Sequence, residues 1–176
     1  RITDMSGLFQ GRSTFNEDIS AWDVRNVTNM GSMFDGASAF NQDVSSWSVG
    51  GVTDMNYMFR GATAFDRVLR WNISPSATLV DMLDGSQAKV AYVPQNGPAL
   101  SAAVGVWFTN RESDAPPTYP SDVTHDVVKA NFMDMTIWDV SRVTDMSGIF
   151  EGRGTFNEDI STWDVRNVTN MSSMFY

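Results

Sequence analysis

The side chains able to do chemistry are few, and most of them recur in a fixed rhythm. Histidine occurs once, at His125, and cysteine is absent, which removes thiol nucleophiles, disulfides and cysteine-ligated metals together. Paired carboxylates stand at Glu17-Asp18 and again at Glu158-Asp159. Such pairs can run hydrolysis, but here both are copies of one repeated phrase and nothing marks either as a pocket. Asn16, Asn41 and Asn157 each precede an acidic residue by two positions: Asp18, Asp43 and Asp159. Stacked side by side, those oxygens could ligate calcium. The simpler reading is that they accept hydrogen bonds from backbone N–H groups at turns. No phosphate-cradling glycine loop and no cofactor motif is present, so neither catalysis nor a cofactor or metal is expected.

What positions these residues is a repeat. Val27, Thr28, Met30, Met33 and Phe34 return in the same order and spacing as Val52, Thr53, Met55, Met58 and Phe59. The same frame fits Ile2 to Phe9, Val143 to Phe150 and Val168 to Phe175. Each unit continues through Phe-Asn to a tryptophan: Phe15 to Trp22, Phe40 to Trp47, Phe156 to Trp163. The first part of a unit predicts a very short helix. Thr53 stands as N-cap, Asp54 in the first turn, Met55, Met58 and Phe59 on one stripe, and Gly61 in the left-handed closing position. The last part predicts a short strand, with Trp22 and Val24 facing one way and Ala21, Asp23 and Arg25 the other. That alternation points the tryptophans inward, against a reading in which they stack sugars on an exposed face. A single unit cannot offset its own ordering entropy, so the units must stack.

The motif W-D-V-x-x-V-T-x-M-x-x-M-F followed by F-N-x-D-I-S resembles the repeat of the BspA-like, or DUF285, leucine-rich-repeat family. It covers residues 1 to about 85 and 135 to 176. The resemblance implies a right-handed leucine-rich-repeat-like solenoid of short parallel strands and short helices, found in secreted or surface-anchored microbial proteins. It implies adhesion or binding as the role and brings no catalytic residues.

Three clear repeats and a degenerate fourth (Leu79, Met82, Leu83, Gly85) fill residues 1–85. The frame is then lost. In residues 86–134, Leu100, Ala103, Val104 and Trp107 fall at helical spacing after Pro98. The loop-like "RESDAPPTYPSD" follows, and Val123, Val127 and Val128 suggest another short helix. The resemblance implies that the first of these helices caps a second, truncated array over 135–176. Residues 2–34 and 143–175 agree at 27 of 33 positions, whereas the adjacent units 2–26 and 27–51 agree at 11 of 25. A block of several repeats was copied, and a helix like that of Leu100–Trp107 is expected ahead of the first block too.

Composition narrows the partners. Twelve basic against twenty-one acidic residues give a net charge of -9, which repels phosphate backbones and anionic membranes, so no nucleic-acid partner is expected. No apolar run approaches the ~20 residues of a membrane span, so no membrane insertion is expected in this segment. The function that the resemblance implies is an extracellular or cell-surface binding module that meets a protein or glycan surface, with a structural spacer as the alternative. The ligand-facing candidates are Asp23, Arg25, Ser48, Arg70, Asn72, Asp139, Asp164 and Arg166, accompanied by Ala21, Ser46 and Thr162. Asn26, Asn72, Asn167 and Asn170 lie in N-x-S/T sequences, and Asn72 is the glycosylation candidate, because the others belong to the repeat's own turn chemistry.

Overall fold

The structure, a computed structural model, describes residues 1–111, 119–120 and 125–176. It comprises two compact units, Arg1–Val90 and Ala91–Tyr176. Most of the expected loop at 111–122, and Val123, lie outside the described residues.

In the first unit the chain closes on itself once per repeat and lays each coil against the last. The short helix expected at Thr53–Gly61 is not there. Instead, alternate N–H groups serve two different purposes. Those of Met30, Ser32, Phe34 and Gly36 donate to the carbonyls of Asp54, Asn56, Met58 and Arg60 in the next coil, at 2.7–2.8 Å. Those of Met33, Asp35 and Ala37, lying between them, close tight turns onto Met30, Ser32 and Phe34. The third coil repeats both sets, with Met55, Tyr57, Phe59 and Gly61 donating forward to Thr78, Val80, Met82 and Asp84. A helix this short is marginal because its nucleus is costly. A neighbouring coil at fixed distance offers the same backbone groups partners without that cost. Thr53 is accordingly no N-cap: its hydroxyl donates to the Thr28 carbonyl, as Thr28 does to Thr3. Asp54 instead accepts the Asn56 N–H at 2.9 Å in a side-chain-closed turn.

These turns need positive φ at two places. Gly11, Gly36, Gly61 and Gly85 supply the second, at φ between 68 and 73°. The first is held by Gly7 and Gly148 but also by Ser32, Tyr57, Asp81 and Ser173. A side chain there costs about 1–2 kcal/mol. After the entropy a glycine adds to the unfolded chain, Ser32→Gly is expected to raise stability by about 0.5–1 kcal/mol, measured by urea unfolding.

The expected strand is also displaced. Trp22, Trp47 and Trp163 N–H groups close turns onto Ile19, Val44 and Ile160 rather than joining a ladder. Parallel bridges instead link Asp4, Asn29, Asp54 and Thr78, and separately Asp145 and Asn170. The regular strands among the described residues are β1, Val68–Leu69, and β2, Lys89–Val90, paired in parallel. Through β2 the first unit runs on to Val90, beyond the expected end at residue 85.

The core is a set of columns. Phe9, Phe34 and Phe59 stack at 5.3–5.6 Å, with Phe15, Phe40 and Phe65 in a second column alongside. Met30, Met33, Met55 and Met58 are fully buried beside them. The inward and outward sorting of the last part of each unit follows the alternation although no strand forms there: Trp47, Val49 and Trp71 are buried, Ser46 and Ser48 exposed.

In the second unit α1, Gly97–Arg111, buries Leu100, Ala103, Val104, Trp107 and Phe108 in one cluster with Trp138, Val143, Met146, Phe150 and Trp163. Asn96 caps it by accepting the Ala99 N–H at 2.9 Å. A short helix α2, Asp126–Lys129, and a 3-10 turn, Met135–Ile137, lead into the coil at Val143.

Candidate functional site

The candidate contact row is set by the coil register, which places Asp23, Ser48 and Asn72 at one position of successive coils and Asp139 and Asp164 at the same position of the second unit. All of the first group are exposed; Asp139 and Asp164 are half-buried. Arg25, Arg70 and Arg166 are exposed beside them. The row thus exists as two groups, one in each unit.

Its geometry is more fixed than alternation alone suggests. Arg25 donates from Nε and Nη2 to the two carboxylate oxygens of Asp23, at 2.9 and 2.8 Å, and its backbone N–H donates to the same carboxylate. Arg166 grips Asp164 in the same way. These guanidinium hydrogen bonds, with the backbone N–H bond next, hold both carboxyls down to about 2. Asp139 accepts the Ser141 N–H at 3.0 Å. Ser48, at the same position, supplies no carboxylate, so the pattern of charge changes from coil to coil.

The other acidic positions are committed to the backbone. Asp18, Asp43 and Asp159 each accept the N–H of the serine two residues on, at 2.9 Å. Asn16 accepts the Asn41 N–H of the next coil at 2.8 Å, and Asn41 accepts that of Asp66. These oxygens therefore do the turn-satisfying work that competed with the calcium reading. Among the described residues no group of three or more His, Cys, Asp or Glu side chains is placed to hold a metal ion. Nor is any described helix long and apolar enough to cross a membrane.

Serine hydroxyl and N–H donors lower the carboxyl pKa of Asp4, Asp18, Asp43 and Asp159; the Ser147 N–H leads for Asp145, and the Arg60 guanidinium for Asp35. A carboxyl whose folded pKa is depressed adds stability above its unfolded pKa and loses it as pH falls through the folded one. The urea midpoint is expected to hold level above about pH 5. It should begin to fall near 3.8 as the carboxyls that accept serine and Arg60 hydrogen bonds protonate, while Asp23 and Asp164, held down to about 2 in exposed pairs, add little to the loss. A midpoint that stays level to pH 2 would show that these hydrogen bonds are absent in solution.

A second feature, half-buried between the coils, escaped the sequence reading. Asp35 receives Nε and Nη2 of Arg60 at 3.0 and 2.7 Å and Nε2 of Gln10 at 3.1 Å, tying three successive coils together. The Arg60 guanidinium also lies 4.5 Å from the centroid of the Tyr57 ring. The available signal was columnar: one position reads Gly7, Ser32, Tyr57, Asp81, carrying side chains where the backbone prefers glycine.

Asn26, Asn72, Asn167 and Asn170 are all exposed, and the Asn167 amide donates to the Ser141 carbonyl at 2.8 Å.

Stacked coils of one repeat each, with a phenylalanine and methionine core and an outward row of polar and charged side chains, define a repeat protein. The family described as Mycoplasma protein of unknown function, DUF285, matches residues 1–94 and 121–176, and the chain belongs to it. No curated protein and no solved structure matches it.

Proposed function

We propose that the chain is a leucine-rich-repeat-like solenoid of the BspA-like type, and that it works as an extracellular or cell-surface binding module for a protein or glycan surface. The observation that carries this reading is the outward row. Asp23 with Arg25, and Asp164 with Arg166, are charged pairs at the surface already hydrogen-bonded to each other in the free chain. Pre-ordered side chains lower the entropic cost of association. Ser48, Arg70 and Asn72 change the chemistry from coil to coil while the core beneath them repeats. The alternative, a structural spacer, draws support from the same pairs, since each closes on itself and leaves little net charge for a ligand.

Binding of the fluorescently labelled chain to a glycan array and to intact cells separates the two readings. A variant carrying Asp23→Ser, Arg25→Ser, Arg70→Ser and Arg166→Ser is expected to lose binding by about tenfold or more, because Arg is a preferred contact residue, with its urea midpoint nearly unchanged. No binding by either protein favours the spacer, and equal binding by both would place the ligand elsewhere than on this row.

A further inference from the structure

We propose that Asn96 is a self-modification site. Its side-chain amide converts to a carboxylate through a cyclic imide with Gly97, and the isoaspartate form of the product releases the start of α1 from the coil at Asp145. Asn96 is the one asparagine of the chain that glycine follows. Gly97 carries no side chain to shield its own N–H, so that nitrogen can approach the neighbouring side-chain carbonyl. Asn96 is exposed. Gly97 is the first residue of α1, and the first N–H groups of a helix have no acceptor within it. The Ala99 N–H, which Asn96 Oδ1 accepts at 2.9 Å, polarises the carbonyl under attack and faces the oxyanion that forms there. The pair Asp35-Gly36 offers a contrast: the Gly36 N–H donates to the Arg60 carbonyl at 2.7 Å, so its nitrogen is committed to the next coil.

In the reaction the Gly97 nitrogen bonds to Asn96 Cγ, its proton leaves with the side-chain nitrogen as ammonia, and the imide closes. Water then opens the imide at either carbonyl. Opening at Cγ gives aspartate, which caps α1 as asparagine does and places a negative charge at the helix N-terminus, where the dipole favours it. Opening at the main-chain carbonyl gives isoaspartate, in which the chain reaches Gly97 through Cβ and Cγ and is longer by a carbon. The packing has no room for it. Gly97 is buried, and even a Cβ there would collide with the Asp145 carbonyl. The Asn96 main-chain carbonyl, which accepts the Leu100 N–H at 3.0 Å, also leaves the helix ladder as a carboxylate. Leu100 is fully buried in one cluster with Trp138, Val143 and Met146, so the first turn of α1 cannot shift without disturbing that core.

The test ages the full chain in mildly alkaline buffer. Amide-to-acid conversion is read by peptide mass spectrometry, and isoaspartate by its methylation with an isoaspartate methyltransferase. Asn96 is expected to convert before every other asparagine and to yield isoaspartate. The isoaspartate chain, separated by chromatography, is expected to lose hydrogen-exchange protection at the Leu100 amide by about tenfold or more and to unfold its second unit at lower urea. Asn96→Asp, which reproduces the other product, should keep both properties of the fresh chain. Asn96→Ser retains a cap and should gain no methyl acceptor at that position. The proposal is overturned if Asn96 converts no sooner than the remaining asparagines or yields aspartate alone. It is also overturned if the isoaspartate chain keeps the Leu100 protection and the urea midpoint of the fresh chain.

Discussion

Replacing Trp47 by alanine is expected to destabilise the protein by roughly 3–5 kcal/mol, as truncation of a large buried side chain does. The indole is 4% exposed, donates to the Ile19 carbonyl of the preceding coil, and stands 6.4 Å from the Phe34 ring. Its removal leaves a cavity between two coils and an unsatisfied carbonyl. Against a domain stability of about 5–15 kcal/mol this is a large fraction. The matching change at the open end of the stack, Trp22→Ala, should cost clearly less because that ring is already partly in water. Asp23→Ser with Arg25→Ser should leave the urea midpoint nearly where it was, since exposed ion pairs contribute little. Urea unfolding of the three variants measures all of this. A harmless Trp47→Ala together with an unfolded Asp23/Arg25 variant would mean that the tryptophans face outward, and the sugar-stacking reading would return.

Gly36→Val is expected to cost roughly 2–4 kcal/mol, combining left-handed backbone strain with overpacking. At φ 72° a β-branched side chain is strained in any surroundings. Here a Cβ would also already be in van der Waals contact, at 3.7 Å, with the Cα of Gly11 in the preceding coil, so the two branch methyls must find room between the coils. Gly11→Val offers the control. Its φ is 69°, but nothing lies within 4 Å of its Cβ, so only the strain remains. The difference between the two urea midpoints isolates the contact between coils. Equal losses would show that the glycines serve the turn alone.

Much of the fold is legible in the residues, and what is not has a common cause. The repeat frame, the buried Met and Phe columns, the closing glycine and the α1 face all follow from side-chain type and spacing, because burial selects for both. The short helix and the strand were misplaced because spacing does not show where backbone N–H groups go. Met30, Met33 and Phe34 at helical spacing fit a helix, yet they fit equally well a chain of tight turns that gives every other N–H to the next coil. Thr28 and Thr53 look like helix caps and instead bond the preceding coil, a partner invisible from within one unit. The contact row was legible as exposed positions, since alternation sorted Ser48 from Trp47. Its pairing was not, because the bidentate bond of Arg25 to Asp23 depends on a turn that only coordinates reveal. The Asp35–Arg60–Tyr57 cluster was missed for a related reason: Asp35 belongs to one coil and Tyr57 and Arg60 to the next, so they meet only through the stack.

The most direct test of the account is native-state hydrogen exchange, read amide by amide. The central claim is that the backbone N–H groups of the half running from Thr to Gly carry the regular ladder between coils, whereas those of Asp23 and Ser48 take no part in it. Strong protection is expected at Met30, Ser32, Phe34 and Gly36 and at Met55, Tyr57, Phe59 and Gly61, the N–H groups that reach the next coil. The amides of Asp23 and Ser48 should exchange with little protection. Protection at Asp23 and Ser48 equal to that at Phe34 and Phe59 would contradict the account, because a ladder would then run through the row assigned to ligand.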